Sequence, residues 1–200
     1  MYTYVKRTLD CLLAALALAA LSPLMLIIAL IVKATSPGPV FFGQYRVGRN
    51  KAHFRILKFR TMRTCAPKNR PTHLMQNADA FITPTGRFLR KYSLDELPQL
   101  INILRGDMSI VGPRPALWNQ YDLIAERDKY GANGVRPGLT GWAQINGRDE
   151  LPIEVKARLD GEYVRRMGFL FDLRCVLRTV FSVARAEGVV EGAQETPKDD

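Results

Sequence analysis

Asp95 and Glu96 stand side by side at the start of a short apolar segment, and Arg114 follows between Pro113 and Pro115. Phosphoryl chemistry uses this combination. One acid can attack phosphorus or hold a metal, its neighbour can complete the metal site, and a guanidinium can neutralise phosphate oxygens. The two prolines restrict the backbone around Arg114 and so reduce the entropy lost when its side chain engages an anion. An Asp-Glu dipeptide is common, so the surrounding residues decide its weight. Ser93 and Glu96 have the spacing of a capping box, which places Asp95 in the first turn of a helix. Alternatively Pro98 is the first helical residue and both carboxylates lie just outside the N-terminus. Gly106 ends the helix in either case. Capping and catalysis are compatible, because free N–H groups at such a terminus also bind phosphate. Neighbouring cations and a helix N-terminus together predict that Asp95 keeps a low pKa.

The elements that must position these residues start with a membrane segment. Residues 11–32 carry no charge, and as one helix they would run roughly 33 Å, enough to cross a hydrocarbon core. Ser22-Pro23 interrupts the run near its middle. Proline removes a backbone donor and clashes with the preceding turn, which leaves two arms of about 15–18 Å each. Basic residues flank both ends, Lys6 and Arg7 before and Lys33, Arg46 and Arg49 after, and this does not favour translocating either end. The reading is a helix that enters the membrane, turns at Ser22-Pro23 and leaves by the same face. The Ser22 hydroxyl is placed to bond a carbonyl freed by the proline. A kinked full span and a signal peptide are the rival readings; Ala17-Leu18-Ala19 resembles a cleavage site, but the apolar run continues to Val32.

Charge is distributed unevenly. The 200 residues carry 29 Lys+Arg against 19 Asp+Glu, a net charge of +10, and no acid occurs between Asp10 and Asp79. Such a stretch suits an anionic surface of lipid headgroups, phosphorylated substrates or nucleic acid. Cys11, Cys65 and Cys175 have neither disulfide-framework nor zinc spacing, and His53 and His73 are isolated. Walker, dinucleotide-fingerprint and serine-hydrolase motifs are absent from the sequence.

After the breaker cluster Ser36-Pro37-Gly38-Pro39, segments 40–42 and 54–59 read as two strands of a hairpin turning at 47–50. Residues 63–78 read as loop. Residues 85–91 read as a short helix that carries Arg87 and Arg90 towards the carboxylates, and residues 116–130 as a further helix. The stretch from Arg136 to Arg148 is too rich in glycine to be mainly helical; it is either a plain turn or a loop that lets backbone N–H groups approach a ligand. In residues 172–187, Leu173, Val176, Leu177, Val180, Phe181 and Ala184 recur at helical spacing. That stripe fits a core-packed helix or a basic amphipathic helix lying on a membrane.

These elements together resemble the bacterial sugar transferase family, the monotopic phosphoglycosyl transferases. The carriers are Ser22-Pro23, Lys58-Phe59-Arg60-Thr61-Met62, Ser93 to Gln99, Gly106-Asp107-Met108-Ser109, Gly112 to Pro115, and Arg136 to Gly141 running into Asn146-Gly147-Arg148. The resemblance implies an α+β fold, mostly helical with a small β-hairpin, a re-entrant N-terminal helix broken at Ser22-Pro23 and amphipathic interfacial helices. It implies a membrane helix over residues 1–35 and a catalytic domain over 36–188, the short form of the family; residues 189–200 read as a disordered tail from their terminal position. The implied reaction moves a phospho-sugar from a UDP-sugar to a polyprenol phosphate, usually undecaprenyl phosphate, releasing UMP at the cytoplasmic face of the bacterial inner membrane. Asp95 would be the nucleophile, and Glu96 would assist through Mg2+ or as a base, both acids being metal ligands. Lys58, Arg90, Arg114 and Arg148 would hold phosphate, nucleotide or lipid-phosphate groups; Asp160 and Asp172 also match family positions. Expected partners are the UDP-sugar, the polyprenol phosphate and membrane phospholipid, and no nucleic acid. A basic membrane adaptor without catalysis is the alternative class, although an adaptor gains nothing from acids inside a phosphate-binding surface.

Overall fold

The computed structural model describes residues 2–67, 77–147 and 151–184. Arg148, residues 68–76 of the expected loop, and the expected tail lie outside the described residues.

Helix α1 (Tyr2–Thr35) contains Pro23, and its helical backbone is continuous on both sides of the proline. The Ser22 hydroxyl donates to the Ala19 carbonyl at 2.8 Å. That carbonyl is the acceptor four residues before Pro23, so the serine serves the group that proline leaves unserved. By length and composition α1 can cross a membrane. One stripe of it faces the rest of the fold. Ala14, Ala17, Leu18 and Leu21 pack with Ile56, Leu100, Ile103 and Met108, and Met25, Ile28, Ala29 and Val32 pack with Phe59 and Leu89. These positions recur every three or four residues, so they share one face of the helix. Leu12, Leu13, Leu16, Leu26, Ile27 and Leu30 on the other faces are exposed.

Both ends of α1 are fastened to the same folded body. Near the start, Lys6 Nζ lies 2.7 Å from Asp172 Oδ2 and the Tyr2 hydroxyl donates to the same oxygen at 2.6 Å. Asp10 accepts from the Ser109 hydroxyl at 2.6 Å and from the Ile110 N–H at 3.1 Å. At the other end, the buried Arg60 donates to the carbonyls of Ser36 and Pro37 at 2.6 and 2.8 Å.

The expected hairpin is present: β1 (Phe41–Val47) pairs antiparallel with β2 (His53–Phe59), with Phe42 opposite Lys58. Helix α2 (Ala78–Phe81) precedes α3 (Pro84–Lys91), where the Thr83 side chain caps the Gly86 N–H. Helix α4 (Gln99–Arg105) starts after Pro98 and stops at Gly106, whose φ of 94° is a left-handed stop that favours glycine. Its Asn102 is fully buried and completes the free edge of β2, accepting from the Leu57 N–H at 3.0 Å and donating to the Arg55 carbonyl at 2.9 Å.

A second sheet of two parallel strands, β3 (Ser109–Val111) and β4 (Gly138–Thr140), was not legible in the sequence. It explains the glycines after Arg136. A Cβ on Gly138 would lie 2.1 Å from the Gly112 nitrogen, and one on Gly141 2.0 Å from the Gly112 oxygen. The glycines therefore allow two backbone segments to touch. Between these strands lies α5 (Tyr121–Asp128), shorter than the expected 116–130, because residues 116 and 117 run extended against β1. Helices α6 (Ile153–Arg166) and α7 (Phe169–Ala184) complete the fold. Phe171 and Cys175 of α7 are buried, whereas Leu173, Leu177, Val180 and Phe181 of the expected stripe are exposed. The stripe is divided: Val176 packs with Phe171 and Cys175 in the core, while Leu173, Leu177, Val180 and Phe181 face outward.

Candidate active site

The carboxylates occupy a single 3-10 turn, Leu94–Glu96, between α3 and α4. Ser93 sits at φ 54°, ψ 21° and makes no side-chain cap, so the capping box is not formed. Pro98 is the N-cap of α4 rather than its first helical residue, and both acids lie just outside the N-terminus, as the second sequence reading expects. The turn is anchored from below by Leu94 and Leu97 against Phe59, Leu89, Ile28 and Val32.

Lys58 rises from β2 opposite the turn. Its ammonium lies 2.6 Å from Glu96 Oε1 and 3.8 Å from Asp95 Oδ2. Arg114 Nη2 approaches the same Glu96 oxygen at 3.2 Å. Arg90 is held by a bond from its Nε to Thr61 Oγ1 at 2.9 Å and lies close enough to Asp95 to act on its charge. Four of the sequence-predicted groups, Lys58, Arg90, Arg114 and the acid pair, therefore share one site. Arg87 does not join them; it lies on the surface 3.7 Å from Asp79.

The two acids are not equivalent. Burial pushes the Asp95 carboxyl above its ordinary value and the adjacent Glu96 charge adds to this, outweighing Lys58, Arg90 and Arg114. The expectation of a low pKa for Asp95 is corrected: it is almost fully buried, and its neighbour takes the close cation contacts. Burial also opposes the charge on Glu96, but Lys58 and Arg114, through charge and hydrogen bonds, hold its carboxyl well below the usual range. Glu96 is the ionised member, and Asp95 holds its proton more tightly.

The pair opens into a cleft of about 650 Å³. Ala17, Leu21 and Leu24 of α1 and Val176 and Val180 of α7 form an apolar side, while Arg46, Arg127 and Lys156 bring cations to the same cleft. Sequence reasoning missed these three cations, because they come from separate elements and no motif marks them. Arg127 is positioned by the buried Asp160 at 2.6 Å. Asp160 and Asp172 therefore act as supports, the first for a cleft cation and the second for the α1 start.

Two adjacent carboxylates with a cation already between them are hard oxygen donors suited to Mg2+, which commonly takes one or two carboxylates and completes its shell with substrate phosphates and water. No group of three or more His, Cys, Asp or Glu side chains converges among the described residues.

The resemblance is confirmed by comparison with known proteins. The bacterial sugar transferase family model matches residues 1–186, and the chain belongs to that family. It is a transferase of this class. The "Exopolysaccharide production protein ExoY" of Sinorhizobium fredii is 39% identical over 197 residues, covering 92% of this chain and 87% of the relative. The "UDP-glucose:undecaprenyl-phosphate glucose-1-phosphate transferase" of Escherichia coli is 45% identical over 184 residues, 88% of this chain but 39% of the relative. An Aeromonas hydrophila protein named as a "UDP-N-acetylgalactosamine-undecaprenyl-phosphate N-acetylgalactosaminephosphotransferase" is 38% identical, over 94% of this chain and 45% of the relative. The names of the last two specify different sugars at similar identity, so family membership alone does not select the donor.

Proposed function

We propose that this chain transfers a phospho-sugar from a UDP-sugar to a polyprenol phosphate, with undecaprenyl phosphate as the acceptor, through a covalent phosphosugar on Asp95. The observation that carries this reading is the cleft, in which a buried carboxyl and clustered cations adjoin an apolar side built from α1 and α7. A charged donor and a lipid acceptor need both environments within reach of one reacting atom.

After losing its proton to solvent, Asp95 attacks the β-phosphorus of the donor. The bond from that phosphorus to the bridging oxygen breaks and UMP leaves. A phosphate oxygen of the acceptor then attacks the same phosphorus, the Asp95–phosphorus bond breaks, and polyprenol diphosphosugar forms. Splitting one displacement into two lets a single site handle a soluble and a membrane substrate in turn. Lys58, Arg90 and Arg114 hold the phosphoryl oxygens and oppose the charge that develops on them. Held by Asp95 and Glu96, Mg2+ would supply further neutralisation of the diphosphate. Arg148, by its family position, would add another phosphate contact.

We place α1 in the membrane as a re-entrant element, with α7 lying at the interface and the domain on the cytoplasmic face of the inner membrane. Attachment of both α1 ends to one folded body supports this, because such a helix does not send its ends to opposite sides. Basic flanks favour the cytoplasmic side.

The test incubates purified protein with Mg2+, undecaprenyl phosphate and a panel of UDP-sugars, reading UMP release. In a second arm, radiolabelled donor without acceptor should leave label on wild-type protein, trapped at Asp95, and none on Asp95→Asn. Substantial turnover by Asp95→Asn would end covalent catalysis by this residue and favour direct displacement.

A further inference from the structure

Trp142 lies in the glycine-rich segment, yet the proposed reaction gives it no role. It is buried beneath a concentration of positive charge. The guanidinium carbons of Arg174, Arg178 and Arg166 lie 5.3, 5.8 and 5.9 Å from its ring centre. Arg166 also lies 4.4 Å from the Phe171 ring. One carboxylate serves the group: Glu162 accepts the Trp142 indole N–H at 2.9 Å and a bond from Arg166. Among the described residues, Arg174 and Arg178 have no carboxylate within salt-bridge distance.

Three guanidiniums on one indole repel each other, and the ring face compensates only part of that cost. Arg174 and Arg178, one helical turn apart, project side by side and can grip one tetrahedral anion through their planar forks. Their place on α7 identifies the kind of anion. Phe169, Leu170, Leu173, Leu177, Val180 and Phe181 form the exposed apolar face of that helix, and the arginines border it along one flank. A shallow groove of about 520 Å³ between Arg166, Phe169, Leu170 and Arg174 joins the charged and apolar parts. Soluble phosphate would have no use for the apolar face.

We propose that Arg166, Arg174 and Arg178, seated on Trp142, form a binding site for the phosphate headgroup of an anionic phospholipid. Its acyl chains lie along the exposed face of α7. The lipid is a bound constituent of the membrane-seated protein, distinct from the acceptor that reacts in the cleft. The inference uses the membrane placement of α7 but none of the reaction steps.

The test uses full-length protein carrying Trp118→Phe, which leaves Trp142 as the sole tryptophan. The protein is placed in phosphatidylcholine nanodiscs doped with brominated phosphatidylglycerol or, at equal fraction, brominated phosphatidylcholine. Brominated phosphatidylglycerol should quench Trp142 more strongly. In Arg174→Gln/Arg178→Gln the apparent affinity for it should fall about tenfold, and the difference between the two lipids should close. Arg178→Gln alone should give a smaller loss and carries the test if the double variant does not fold. Equal quenching by the two lipids in the parent protein overturns the proposal. So does a phosphatidylglycerol preference that survives the substitutions. Relief of quenching by inorganic phosphate identifies a free-anion site, and relief by short RNA a nucleic-acid surface; either also overturns it. A reaction scheme wrong in every step would leave these outcomes unchanged.

Discussion

Lys58 Nζ sits 2.6 Å from Glu96 Oε1. By taking this cation closely, Glu96 leaves the adjacent Asp95 in a buried, less compensated position, with its pKa raised. The acid assigned as nucleophile is therefore the one that resists ionisation. Burial keeps it poorly solvated, and so reactive, once its proton is gone.

A pH dependence follows. The attacking form of Asp95 is the carboxylate, so kcat/KM should rise with pH along an acid limb that burial and the Glu96 charge displace upward and that Mg2+ on the pair would displace downward. Lys58 lowers the Asp95 pKa, so Lys58→Met should move that limb to higher pH as well as reduce the maximum rate. Stability carries two opposite signs. Asp95 binds its proton more tightly folded than unfolded, so its contribution falls as pH rises through the folded value. Glu96 binds its proton less tightly when folded, so its contribution is present above its unfolded value and is lost as pH falls through the folded one. Rate profiles of wild type and Lys58→Met check the shift; an unmoved limb would detach it from Asp95.

For Arg114, charge and shape can be separated. Arg114→Lys keeps the cation but loses the planar fork that reaches Glu96 and phosphate oxygens, and activity should fall at least about tenfold, equivalent to about 1.4 kcal/mol. Near-normal steady-state rates would reduce Arg114 to a diffuse electrostatic role.

Sequence motifs marked the acids, Lys58, Arg90 and Arg114 because each lies in a short local pattern. The hairpin and the α4 stop at Gly106 were legible for the same reason, since alternation and punctuation act within a few residues. Features made by distant segments were not. The β3–β4 pairing joins residues 109–111 to 138–140, and its glycines read as a loop because their partner strand is invisible locally. The raised pKa of Asp95 depends on burial, which spacing does not report. The stripe of α7 showed that an apolar face exists but could not show which side the core would take.

Asn102 links the fold to the site. It binds the backbone of Arg55 and Leu57 on β2, immediately before Lys58, and it lies on the helix that follows the acids. Asn102→Leu leaves the part-buried Leu57 N–H and Arg55 carbonyl without this partner, each costing about 1–3 kcal/mol to the extent that water cannot replace it. We predict a loss of about 3 kcal/mol in stability, and activity reduced even below the melting transition as Lys58 loses register with Glu96. Denaturation midpoints alongside initial rates check both parts; unchanged stability would mean that water replaces the side chain at the β2 edge.

The clasp at the start of α1 makes the topology testable. Lys6 and Asp172 form a buried pair at 2.7 Å, so removing one partner strands the other at a cost of about 3–5 kcal/mol, while replacing both with apolar residues removes the tie and leaves Asp10, 3.8 Å from Lys6, held by Ser109 and the Ile110 N–H. On a background with Cys11, Cys65 and Cys175 replaced, single cysteines at position 3 and beyond Lys33 should both resist periplasmic labelling in intact cells. Pro23→Leu favours a straighter helix, yet with both ends still fastened it should leave that pattern unchanged. Combined with Lys6→Leu and Asp172→Leu, the same substitution should let the N-terminus reach the periplasm in a detectable fraction of molecules. Periplasmic labelling of position 3 in the otherwise unaltered chain would establish a full span and end the re-entrant reading. If the triple variant stays protected, the contacts of Asp10 with Ser109 and Ile110 are enough to hold the helix on one side.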